Sequence, residues 1–71
     1  KVAGAAAAQI AAINAVGPDS LPEELRALAE LRLQNPFDSL RELGQKLTPP
    51  LSRSGVNHRL EKIIDLAARK D

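Results

Sequence analysis

Between Leu47 and Leu60 the chain reads LTPPLSRSGVNHRL. Pro49 and Pro50 each fix φ and lack an N–H, so no helix can run through them. Upstream, Leu40, Leu43 and Leu47 keep helical spacing; downstream, Val56, Leu60, Ile63, Ile64 and Ala67 do the same. The segment therefore dictates a helix end, a stiffened turn and a new helix. Either Ser52 or Ser54 is placed to cap that new helix, which the pattern carries to about Arg69.

The rest of the chain is divided in the same way. Residues 2–16 are Ala-rich, and Ala is the strongest helix former. Val2, Ala6, Ile10 and Ile13 share one face there, with a stop at Gly17-Pro18. The stripe is narrow, so this helix needs something to lean on. It reads as a connecting helix over 1–17, ahead of a domain over 18–71. A chain that starts at Lys1 reads as a piece of a longer one. Ser20-x-x-Glu23 has the form of a capping box, with Pro22 in the first helical turn. Leu25, Leu28, Ala29, Leu31 and Leu33 supply the apolar positions of that helix, which ends before Asn35-Pro36. Ser39-x-x-Glu42 opens the next helix in the same fashion. Gly44 lies inside it, where glycine costs about 1 kcal/mol relative to Ala. Beside two inward leucines, it points to close packing against the following helix.

These elements define an all-α fold, a small helical bundle. Seventy-one residues make one domain. Without cysteine there is neither a disulfide nor a thiolate metal site, and a reducing cytosol is compatible. No apolar run approaches the roughly 20 residues that span a bilayer, so no membrane role is expected. The Ala-rich start lacks a basic leader and is interrupted by Gln9 and Asn14, unlike a signal peptide.

Catalysis finds no constellation in the sequence. The single histidine, His58, has only Glu61 as a carboxylate neighbour at helical spacing, and a solvated pair of that kind is ordinary surface. Ser52 and Ser54 serve better as caps than as nucleophiles. Gly4, Gly17, Gly44 and Gly55 are too dispersed for a phosphate loop. Neither an enzymatic site nor a cofactor or metal is expected.

Charge is distributed unevenly. Residues 1–38 carry Lys1, Arg26 and Arg32 against Asp19, Glu23, Glu24, Glu30 and Asp38, a net of −2. Residues 39–71 carry Arg41, Lys46, Arg53, Arg59, Lys62, Arg69 and Lys70 against Glu42, Glu61, Asp65 and Asp71, a net of +3. The basic half contains the broken helix pair, and that combination suits a polyanion. A helix-turn-helix protein reads bases with the first turns of its second helix. Those turns offer Arg53, Ser54, Asn57 and His58, with Arg59 and Lys62 behind them. Arg pairs with guanine and Asn with adenine in bidentate fashion. The helix starts at Ser39 and Ser52 offer free N–H groups to phosphates, and Arg41 and Lys46 stand where phosphate contact is natural. Glu61 and Asp65 confine the groove contact to the beginning of the helix.

The string LRELGQKL-TPP-LSRSGVNHRLEKI, with LPEELRALAELRL before it, resembles the C-terminal helix-turn-helix of the WhiA family, bacterial regulators of sporulation and cell division. The likeness covers most of residues 20–67. It implies a domain similar to region 4 of sigma factors, following an N-terminal domain of LAGLIDADG homing-endonuclease-like fold without nuclease function. It also implies binding to double-stranded promoter DNA in the cytoplasm, at the nucleoid. The recognition segment of the family falls on Ser52, Arg53, Ser54, Gly55, Val56, Asn57, His58 and Arg59. RNA polymerase, sigma or a WhiB-type co-regulator are the protein partners implied, and docking on them is the alternative to DNA reading. Thr48-Pro49-Pro50-Leu51 makes the turn about two residues longer than the common compact form, which changes the angle available to the second helix.

Overall fold

The computed structural model describes residues 4–69. Four α-helices follow one another: α1 Gly4–Val16, α2 Glu23–Gln34, α3 Leu40–Lys46 and α4 Arg53–Arg69, with a 3-10 turn at Pro18–Ser20. No strand occurs among the described residues, and the chain is all-α as its composition dictates. One core unites the helices: Ala12, Ile13 and Val16 of α1, Leu21, then Leu25, Leu28 and Ala29 of α2, Leu43 of α3, and Val56, Leu60 and Ile63 of α4. α1 packs most extensively against α4 and also meets α2. The Ala-rich helix thus leans on the bundle itself.

The buried face of α1 runs through Ala6, Gln9, Ala12, Ile13 and Val16. This departs from the expected Ala6–Ile10–Ile13 line, because Ile10 is only half-buried and Gln9 takes the inner position. Val2, the fourth residue of that line, lies outside the described residues. The stop at Gly17 is as expected. Its φ of 87° is open to glycine without steric cost, and its N–H returns to the Ile13 carbonyl at 2.9 Å.

The Ser20 capping box does not form. Pro22 is the N-cap of α2, and its carbonyl accepts from the Leu25 and Arg26 amides at 2.9 and 2.8 Å. The cause is tertiary. Leu21 is extended and 2% exposed, so burying it moves the helix start beyond the reach of Ser20. Ser20 instead closes the 3-10 turn, its N–H on the Gly17 carbonyl at 2.9 Å. The Ser39 box does form: Ser39 Oγ accepts from the Glu42 amide at 3.1 Å, and the Ser39 amide donates to Glu42 Oε1 at 2.8 Å.

Gly44 is the pivot of the broken helix pair. A Cβ there would stand 2.2 Å from the Leu51 carbonyl oxygen and 3.1 Å from Val56 Cγ2. The Gly44 carbonyl accepts from the amides of Leu47 and Leu51, at 3.3 and 3.0 Å. The close approach expected of this glycine is present, and the backbone of the turn is its nearest partner. Among the two candidate caps of α4, Ser52 is the one used: its Oγ accepts from the Gly55 amide at 3.2 Å.

Candidate nucleic-acid interface

α4 is amphipathic from Arg53 to Ile63. Val56, Leu60 and Ile63 are fully buried and fix its inner face. The same spacing turns Arg53, Ser54, Asn57, His58 and Lys62 outward, and all five are exposed. Arg53 and Asn57 stand one turn apart, as do Ser54 and His58, then His58 and Lys62. The first row turns acidic beyond Asn57, at Glu61 and Asp65, both exposed, whereas the second stays free of carboxylates as far as Lys62. Ile64 is exposed, at 38%, although its spacing suggested an inner position.

α3 meets this surface at its beginning. Leu40, Arg53, Ser54 and Asn57 line one open depression of about 290 Å³. A neighbouring one, about 220 Å³, shares Leu40 and Asn57 and reaches Gln9, Arg32, Asp38 and Ser39. The structure therefore brings Ser39, Arg53, Ser54 and Asn57 together. His58 and Lys62 continue the same helix, Ser52 caps its start, and Arg41 is exposed on α3.

Two of the expected contact residues are engaged elsewhere. Lys46 Nζ pairs with the Asp38 carboxylate and donates to Asn35 Oδ1 at 3.1 Å. Arg59 is half-buried and reaches α2: Nη1 donates to the Glu24 carbonyl at 3.3 Å, and Nη2 stands 3.8 Å from Glu24 Oε2. Partly exposed pairs of this kind contribute about 0–1 kcal/mol, so they orient these side chains more than they stabilise the fold.

The family described as the WhiA C-terminal HTH domain matches residues 1–67. This chain belongs to that family. It is 57% identical over 54 residues to the probable cell division protein WhiA of Heliobacterium modesticaldum, covering 76% of this chain and 17% of that protein. The proteins of the same name from Clostridium novyi and Thermoanaerobacter sp. are 49% and 48% identical, covering 94% and 97% of this chain and 22% and 23% of their own lengths. The chain thus spans about a fifth of the length of these WhiA relatives. No solved structure matches it.

In this WhiA-type domain the most consequential residue not singled out from the sequence is Arg32. It is 2% exposed, yet charged. Its Nη1 donates to three carbonyls of the loop between α2 and α3: Asn35 at 3.3 Å, Pro36 at 3.4 Å and Asp38 at 2.8 Å. Burial pushes the guanidinium below its usual value, and the Asp38 charge acts in the opposite direction. The signal was its register, because Leu25, Leu28, Ala29 and Arg32 form one unbroken stripe. Gln9 is legible on α1 in the same way. No group of three metal-ligating side chains occurs among the described residues, and no helix there is long and apolar enough to cross a membrane.

Proposed function

We propose that this domain binds double-stranded promoter DNA, with the first two turns of α4 in the major groove, as the C-terminal part of a bacterial regulator of sporulation and cell division. The observation that carries the reading is the outward array on α4: Arg53, Ser54, Asn57, His58 and Lys62 face solvent while Val56, Leu60 and Ile63 anchor the opposite side. Arg53 is assigned to guanine and Asn57 to adenine, the bidentate pairings their side chains allow. Ser54 and His58 extend the array, and Arg41 and Lys62 supply phosphate contacts. Membership in a helix-turn-helix family supports this reading, and the name shared by the relatives supports the link to cell division. The Ala-rich segment over 1–17 is proposed to lead from the DNA-binding unit over 18–71 toward an upstream part, while its α1 residues complete the core of that unit.

The test begins by selecting a cognate site from a random-sequence duplex pool with the wild-type chain, and then titrates that labelled duplex by fluorescence anisotropy across a salt series. Affinity is expected to fall steeply with salt, with a slope set by the number of phosphates neutralised. Arg53→Ala and Asn57→Ala should each cost about 1–3 kcal/mol on the cognate site and less on unrelated DNA. The reading fails if the wild-type chain does not bind at low salt and high protein concentration, or if neither substitution weakens it.

A further inference from the structure

A charge buried inside a domain this small is costly unless hydrogen bonds or a counter-charge offset its desolvation. Arg32 is the one fully buried charged residue among those described, and one of its nitrogens holds the carbonyls of Asn35, Pro36 and Asp38 together. Asp38 belongs to two surroundings at once. Its carboxylate pairs with Lys46 Nζ, and the residue also lines the depression that contains Asn57 and Ser39. A carboxylate turned into that depression would stand beside the side chains assigned to DNA and would repel phosphates. The carbonyl of the same residue accepts from Arg32 at 2.8 Å, which ties down the backbone from which its side chain leaves the loop. Asn35 reinforces the arrangement: Nδ2 donates to the Leu31 carbonyl at 2.9 Å, and Oδ1 accepts from Lys46 Nζ at 3.1 Å.

We infer that Arg32 is a positioning residue of the DNA surface, holding the 35–38 loop so that the Asp38 carboxylate stays on Lys46 and away from the face around Asn57. Arg32 touches no DNA in this arrangement; it acts through Asp38. The inference rests on the DNA-binding reading above and adds to it a residue that lies beneath the surface.

A double-mutant cycle on the 71-residue chain tests it, read by anisotropy with the same selected duplex at a temperature where circular dichroism shows each variant folded. Asp38→Asn alone should leave affinity within about twofold, since Lys46 already neutralises the carboxylate. Arg32→Met should weaken binding about tenfold, and Asp38→Asn added to it should recover most of that loss without restoring the melting temperature. A purely structural role for Arg32 moves the melting temperature and produces no such recovery. If Arg32→Met does not fold, Arg32→Lys, which keeps the charge on a single ammonium in place of the guanidinium fork, takes its place in the cycle; the same recovery by Asp38→Asn is expected, and its absence overturns the inference. The inference is overturned if the folded Arg32 variant binds like wild type, or if the Asp38→Asn gain is equal in both backgrounds. Wild type that binds with such an additive cycle sinks this inference alone, whereas wild type that never binds sinks the DNA reading and this inference with it.

Discussion

Two connections flank α3, and they are held by opposite means. The connection from α3 to α4 is fixed by a missing atom: without a Cβ on Gly44, the Leu51 carbonyl lies where a side chain would begin, and the Gly44 carbonyl takes the Leu47 and Leu51 amides. The connection from α2 to α3 is fixed by an added side chain, the Arg32 guanidinium, which gathers three loop carbonyls. Backbone against backbone leaves no slack, because no rotamer can relieve a clash. A long side chain has three or four rotatable bonds and can yield. The first connection should therefore fail abruptly when altered and the second by degrees.

The largest effect is expected for Gly44→Ala. A Cβ at 2.2 Å from a backbone oxygen forces the turn to move, and a loss of about 3 kcal/mol or more is expected, a large part of the stability of so small a domain. Urea denaturation followed by circular dichroism at 222 nm would show it as a lowered midpoint; an unchanged midpoint would mean that the turn can shift freely and that the contrast is false. Arg32→Met comes next. Removing the donor leaves three carbonyls to find water while a methionine fills the apolar part of the site, so a loss of about 1–3 kcal/mol is expected, with the helical signal kept. Ser39→Ala removes the cap that closes the same loop and should cost about 1 kcal/mol. A cost near zero there would show that Arg32 alone sets the loop.

The smallest effect has the opposite sign and sharpens the argument about Gly44. Gly55 is also helical, yet a Cβ there meets nothing closer than 3.5 Å. Gly55→Ala should stabilise the domain by up to about 1 kcal/mol through helix propensity and the unfolded chain. Two glycines in the same helix pair would then respond in opposite directions to the same methyl group.

The sequence discloses these features unevenly, and the reason is range. Gly17, Gly44, the Ser39–Glu42 box and the outer and inner faces of α4 depend on residues within a few positions of one another, and each is legible. The Ser20–Glu23 pattern is just as local and misleads, because burial of Leu21 outweighs a cap worth about 1 kcal/mol. Arg32 and Gln9 are concealed by their chemistry: a polar residue in an apolar stripe reads as an interruption, although its register places it inside. The candidate site shows the same division. Arg53, Ser54, Asn57 and His58 follow from the helical wheel. That Lys46 lies on Asp38 and Arg59 on Glu24 follows only from packing, since the second pair is separated by 35 positions. A side chain cannot announce in the sequence what the fold will bring beside it.

One feature of α1 bears on the encounter with DNA that we propose. From Gly4 to Val16 the helix carries no ionisable side chain, and it covers one flank of α4. The charge of the molecule is lopsided on a body of 7.6 kDa: α1 carries none, α2 carries Glu23, Glu24 and Glu30 against Arg26 and Arg32, and α4 as far as Lys62 carries Arg53, Arg59 and Lys62 against Glu61. Within the Debye length of about 8 Å at physiological salt, a phosphate lattice exerts a torque on such a body before any contact forms. The collision is biased toward one orientation, and the alanines of α1 contribute to that bias by carrying nothing for the lattice to pull on.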